Sequence, residues 1–166
     1  MTSPIIGIDL GTTNCCAAWV TPQGEVRLIP SRGGENTMPS IFALTDKHIE
    51  IVGHEAKRQS QLNPSGTVKG AKRIIGLPFD HAVVRRMREY ADFKVLEADL
   101  GQPEIELHGK RYTCETISSR FLRSIVDVAS KHLGQEVTRA VVTVPASCNA
   151  RQRQAVHARS DSMWFG

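Results

Sequence analysis

The chain has 166 residues, 40% hydrophobic and 23% charged, enough for one domain with its own core and ordinary for a globular protein. A net charge of +4 makes it mildly basic, with Arg85, Arg86 and Arg88 as the densest cluster, yet only 5% of residues are aromatic. Few stacking platforms argue against a nucleic-acid binder, so the arginines read as a solvated face. No apolar run reaches the roughly 18 residues of a membrane span, and no charged leader with an apolar core precedes the first strand.

The first element is the apolar run Ile5-Ile6-Gly7-Ile8, which ends in Asp9 and turns through Leu10-Gly11-Thr12-Thr13-Asn14. The run predicts a buried strand, with Asp9 at its end, where its charge can meet a metal. Gly11 has no Cβ and lets the backbone approach a ligand closely. Thr12, Thr13 and Asn14 offer hydroxyls, an amide and successive backbone N–H groups, the donors a phosphate chain wants. On these ten residues alone two readings stay open: half of a nucleotide-phosphate clamp, or a hairpin turn with a solvated Asp9.

Residues 15–21 read as a second strand, Pro22-Gln23-Gly24 as a turn and 26–29 as a third strand. Connections this short exclude crossovers, so the three form an antiparallel meander. A polar loop over 31–39 leads to a strand pair at 41–44 and 49–52, then a helix over 55–62 broken by Asn63-Pro64-Ser65-Gly66. Residues 67–75 are expected to form a second short helix, carrying Lys69, Lys72 and Arg73. A charged segment at 80–90 has weak helical character, and 93–96, 104–107 and 111–113 read as strands.

The clearest helix follows. Thr113 can cap it, Glu115 suits its dipole, and Ile117, Phe121, Leu122, Ile125, Val128, Ala129 and Leu133 recur at helical spacing up to a Gly134 stop. Residues 140–144 are expected to be a strand buried on both faces of a parallel sheet. Pro145 ends it, and Asn149 with Gln152 would cap a last helix.

The four cysteines, Cys15, Cys16, Cys114 and Cys148, form no C-x-x-C pair, so zinc has no support. Cys15 and Cys16 fall on opposite faces of a strand, which disfavours a mutual disulfide. Buried free thiols suit a reducing cytoplasm. No P-loop, no G-x-G-x-x-G and no G-x-S-x-G elbow is present. His54-Glu55 opens like a zinc-protease helix, but Arg58 stands where a second histidine is needed.

G-I-D-L-G-T-T-N at residues 7–14 is similar to the first phosphate loop of the seventy-kilodalton heat-shock protein (DnaK-type) chaperones, a loop with close variants in sugar kinases and actin-like proteins. Glu35-Asn36-Thr37-Met38-Pro39-Ser40-Ile41, Val52-Gly53-x-x-Ala56-Lys57-Arg58-Gln59 and Lys72-Arg73-Ile74-Ile75-Gly76 resemble later segments of that family. So does Val142-Thr143-Val144-Pro145-Ala146, with Asn149, Gln152, Arg153, Gln154 and Ala155. The matches fall in order from residue 5 to about 156, a combination specific to the chaperones.

The resemblance implies an α/β chain with the actin-like ATPase (ribonuclease H-like) fold, first lobe only, over residues 1–158. It places an inserted α+β subdomain at about 40–112 and a divergent tail at 159–166. ATP or ADP with Mg2+ is the implied cofactor. Asp9 would hold the metal through water, and Gly11, Thr12, Thr13 and Asn14 would embrace the β- and γ-phosphates. Lys72 would be the catalytic residue that places the γ-phosphate or the attacking water. Such chemistry asks for a metal, backbone donors and a point charge more than for covalent catalysis. Without the resemblance, Lys72 reads as a solvated helix lysine. Pro145 and Arg153 match positions that relay nucleotide state to a peptide-binding domain.

The implied parent function is ATP-driven binding and release of unfolded polypeptides with co-chaperones, and neither nucleic acid nor membrane is expected as a partner. Ser147 and Cys148 stand where the family has two aromatic residues, and the match stops after about Ala158. The second Gly-rich phosphate loop, the adenosine-binding segment and the second-lobe glutamate are missing from these 166 residues. The expectation is therefore a truncated cytoplasmic ATP-binding lobe, not catalytically competent alone. Its 140–144 strand edge and its Met163-Trp164-Phe165 tail would promote self-association. The alternatives are a non-catalytic interaction fragment and an actin-like or sugar-kinase relative.

Overall fold

A computed structural model describes residues 4–143 of the chain. The first apolar run becomes β1 (Ile5–Leu10), which buries Ile6, Ile8 and Leu10 and turns Ile5, Gly7 and Asp9 to the opposite face. This is the period-2 alternation of a pleated strand. β2 (Asn14–Val20) and β3 (Val26–Ile29) fold back antiparallel, forming the expected meander. Cys15 is buried and Cys16 half-buried, one on each face. The turn between β2 and β3 closes with Gly24 N donating to Thr21 O at 2.9 Å, and Gly24 takes a φ of 85°, the left-handed region open to glycine.

Inside the expected 31–39 loop the chain makes a two-residue strand, β4 (Met38–Pro39), which pairs with Asn14 and Cys15 of β2. β5 (Ile41–Leu44) is the centre of a separate antiparallel sheet, flanked by β6 (Glu50–Val52) and β7 (Thr67–Lys69), with α1 (His54–Gln59) between them in sequence.

The helix expected over 67–75 does not form. Thr67 and Val68 are buried and pair with Ala43 and Phe42 on the free side of β5. Both are β-branched and sit better on a pleated surface than in a helix. Gly70, at φ 72°, ends the strand, and only Ala71–Arg73 winds, as one 3-10 turn.

α2 (Ala82–Tyr90) follows, with its first turn capped by His81, whose Nδ1 accepts from Val83 N at 3.2 Å. A third sheet, order β10-β9-β8, is built from β8 (Lys94–Glu97), β9 (Pro103–Leu107) and β10 (Lys110–Thr113). α3 (Cys114–Leu133) starts where Thr113 Oγ1 accepts from Thr116 N at 3.1 Å and stops at Gly134, φ 65°. Its stripe of Ile117, Phe121, Leu122, Ile125 and Ala129 is buried, with Val128 and Leu133 packed at its margin. Burial of each of the larger side chains stabilises by about 1.5–3 kcal/mol, so this stripe holds the helix to the sheets.

After α3 the chain returns as β11 (Arg139–Thr143), parallel to β1, in the order β11-β1-β2-β3. The parallel pairing is as expected, but burial on both faces is not. Ala140 and Val142 point to the core while Val141 is 46% exposed. β11 is the end strand of this sheet among the described residues, and one of its faces carries no packed layer there.

Glu50 ties the second sheet to the third and to α3. Its carboxylate accepts from Lys110 Nζ at 2.9 Å and Tyr112 Oη at 3.1 Å, both on β10, and from Arg120 Nε on α3. Among the described residues no helix is long and apolar enough to cross a membrane, and Cys15, Cys16 and Cys114 are free thiols. Pro145, Ser147, Cys148, the Asn149 cap, Arg153 and the 159–166 tail lie outside the described residues.

Candidate functional site

Asp9 is the last outward-facing residue of β1, so strand alternation alone puts its carboxylate on the open face of the sheet. The parallel register sets Thr143 of β11 beside it, and Thr143 Oγ1 donates to Asp9 Oδ1 at 2.9 Å. Leu10 then anchors the strand end in the core, and the chain reverses through Gly11, Thr12 and Thr13 into β2.

Two features hold this reversal. A Cβ at Gly11 would run into the backbone carbonyl oxygen of Asn14, so only glycine fits the tight turn. From behind, buried Ser40 grips the loop twice: its N–H donates to Thr13 O at 2.8 Å and its Oγ to Gly11 O at 2.8 Å. Cys15 Sγ lies 3.1 Å from Ser40 Oγ and completes the support. With both carbonyls bonded from the rear, the loop is pre-organised, which lowers the entropic cost of gripping a ligand.

Lys72 reaches this loop from a distant part of the sequence. Ala71, Ile74 and Ile75 are buried and fix the 3-10 turn against the core. Lys72 then lines a small cavity together with Gly11, Thr12 and Ser40. Its ammonium nitrogen is itself buried. Burial pushes the Cys15 thiol up, against the Ser40 hydrogen bond and the nearby Lys72 charge, which pull it down. Cys15 is therefore a protonated support of the loop at neutral pH. Cys114 is raised further, by burial first and the Glu115 charge second, and is equally unreactive as a thiolate.

The structure brings Lys72 to Gly11 and Thr12 in one small cavity, while Asp9, Thr13 and Asn14 lie along the same β1–β2 turn. Pro145 and Arg153 are not among the described residues. Two further residues join the site without a role assigned from the sequence. Ser40 and Thr143 stand in the family-like segments 35–41 and 142–146, but their contacts with the Gly11 loop and Asp9 come from long-range pairing that no local pattern gives.

No cluster of three or more His, Cys, Asp or Glu able to hold a metal occurs among the described residues. A cation at Asp9 would have one protein carboxylate and would complete its shell with water and ligand oxygens. That is the usual arrangement for Mg2+ at phosphates, and it differs from the all-protein cages that hold Ca2+. The exposed Asp9 carboxylate, the Gly11 backbone without a Cβ and the Lys72 ammonium are groups of the kind that a metal-bound phosphate chain requires, and the cavity between Lys72 and the loop, about 10 Å³, has room for one water.

The model of the family described as Hsp70 protein matches residues 5–161. That family has the actin-like ATPase fold and a chaperone ATP-binding domain that takes nucleotide with Mg2+, and its partners include unfolded polypeptides and co-chaperones. With this match running over most of its length, the chain belongs to the Hsp70 protein family.

Proposed function

We propose that this chain is the phosphate-gripping lobe of an Hsp70 ATP-binding domain, with residues 40–112 as its inserted subdomain. In this reading Asp9 holds Mg2+ through water, and Gly11, Thr12, Thr13 and Asn14 present backbone and side-chain donors to the β- and γ-phosphates. Lys72 places the γ-phosphate or the attacking water. When bound, the metal supplies charge neutralisation at the phosphates. The chain's own residues orient the phosphate chain and fix one positive charge against it. The supporting observation is the convergence of Lys72 on the Gly11–Thr12 backbone in one small cavity, across about 60 residues of sequence.

The 166 residues contain no second Gly-rich phosphate loop and no second-lobe glutamate, so the chain by itself hydrolyses ATP negligibly. Each lost contact of about 1.4 kcal/mol weakens binding tenfold. Isothermal titration with Mg-ATP and a phosphate-release assay test this reading. Weak binding without turnover is expected. Turnover at the rate of an intact family member, abolished by Asp9→Asn, would overturn it. Coupling of ATP to the release of unfolded polypeptides would run through Pro145 and Arg153. The free thiols support a reducing, cytoplasmic location.

A second reading, a self-associating interaction fragment, is favoured by the exposed Val141 on β11, the end strand of its sheet among the described residues. Such an edge recruits other strands. Light scattering at rising concentration checks it. A monomer with strong hydrogen-exchange protection at Val141 and Val142 would remove its basis.

A further inference from the structure

Between β4, β6, α1 and α3 lies a second cavity of about 380 Å³, which shares no lining residue with the space around Gly11 and Lys72. Its volume falls in the range of small-molecule pockets, about 300–1,000 Å³. The floor is apolar, formed by Met38, Val52, Ile125 and Val128 in front of the fully buried Phe42. A flexible thioether beside branched aliphatic side chains accepts flat apolar groups.

The rim is cationic. Arg32 comes from the loop after β3, Arg58 from α1 and Arg123 from α3, and all three line the cavity. None of them takes part in an ion pair or side-chain hydrogen bond among the described residues. Arg120, also in the wall, is already bound to Glu50. Glu55 and Asp127 share the walls but leave these arginines unbridged, and Glu50 is shared with Lys110, so the lining keeps a positive excess. A guanidinium presents a planar fork of donors matched to a carboxylate, and three from separate elements beside one apolar floor form a complementary surface for an acid with an apolar body.

We propose that this cavity binds a small amphipathic anion, with a flat apolar body on Met38, Val52 and Ile125 and a carboxylate on the arginine rim. The site is separate from the phosphate loop and does not depend on the nucleotide reading.

The test is a titration of 2-naphthoate into the 15N-labelled 166-residue chain, followed through backbone amide shifts. Saturable shifts are expected at Gly33, Met38, Val52 and Ile125, without shifts at Gly11 to Asn14. Uncharged 2-naphthamide should bind roughly tenfold more weakly or worse, as should the Arg58→Gln/Arg123→Gln double variant, since each removes charge-assisted bonds. Both substituted arginines are exposed, so the fold should survive, and the variant's unperturbed amide spectrum verifies this. If that spectrum is disturbed, the single loop variant Arg32→Gln replaces it, with several-fold weakening expected. Equal affinity for 2-naphthamide, shifts confined to Arg85–Arg88 or to the phosphate loop, undiminished binding by the folded variants, or no saturable shift would each overturn the proposal.

Discussion

Replacing Glu50 by glutamine removes one charge from a junction where three elements meet, with almost no change of shape. Partial burial acts to raise the Glu50 carboxyl, but hydrogen bonds from Arg120 and Lys110, the Arg120 charge and the Tyr112 hydroxyl outweigh it and take it from 4.5 to about 2. At about 1.4 kcal/mol per pH unit this corresponds to roughly 3 kcal/mol in an unscreened site. The carboxylate is 21% exposed and Arg120 40% exposed, so solvent screening reduces the expected contribution to about 1–2 kcal/mol. A carboxyl lowered on folding stabilises fully above its unfolded value. The contribution is lost as pH falls from 4.5 through about 2. Urea unfolding at pH 7 should therefore show Glu50→Gln weaker by about 1–2 kcal/mol, with the difference closing toward pH 2. A difference within error at pH 7, or one unchanged between pH 7 and pH 2.5, would refute the assignment of Glu50 as an ionic tie.

Phe121→Ala empties a buried position of α3 beside the Lys72 cavity and should cost about 3–5 kcal/mol in the same urea assay. Thr113→Ala removes the cap on Thr116 N and should cost about 1 kcal/mol, with fraying of the first turn visible as faster amide exchange. Gly11→Ala drives a Cβ into the Asn14 carbonyl and should cost about 1–3 kcal/mol while weakening Mg-ADP binding at least tenfold. Ser40→Ala leaves two loop carbonyls with one rear donor fewer and should weaken Mg-ADP binding several-fold without loss of fold, measured by calorimetry and circular dichroism.

The meander, the strand pair of β5 and β6, the third sheet and α3 were legible because each carries a local signature. Alternation marks Ile6, Ile8 and Leu10, turn chemistry marks Gly24, and a capped helical stripe runs from Thr113 to Gly134. The segment at 67–69 is not legible locally: Ser65 or Thr67 suits a helix start, while the decisive term is non-local, the open side of β5 that pairs with Thr67 and Val68. Asp9 to Asn14 announced themselves by residue type and spacing. Ser40 and Thr143 did not, since their roles arise from pairings over 29 and 134 residues. The exposure of Val141 was hidden because an apolar run looks the same whether one face or both are covered.

In the proposed function, Asp9 to Asn14 and Lys72 would hold a metal-bound phosphate chain. Titration of Mg-ADP into the 15N-labelled chain tests it most directly. Saturable amide shifts should centre on Asp9 to Asn14, extend to Ser40 and Lys72, and vanish in Asp9→Asn. Shifts confined to the Arg85–Arg88 cluster, or shifts on the loop that persist unchanged in Asp9→Asn, would contradict the account.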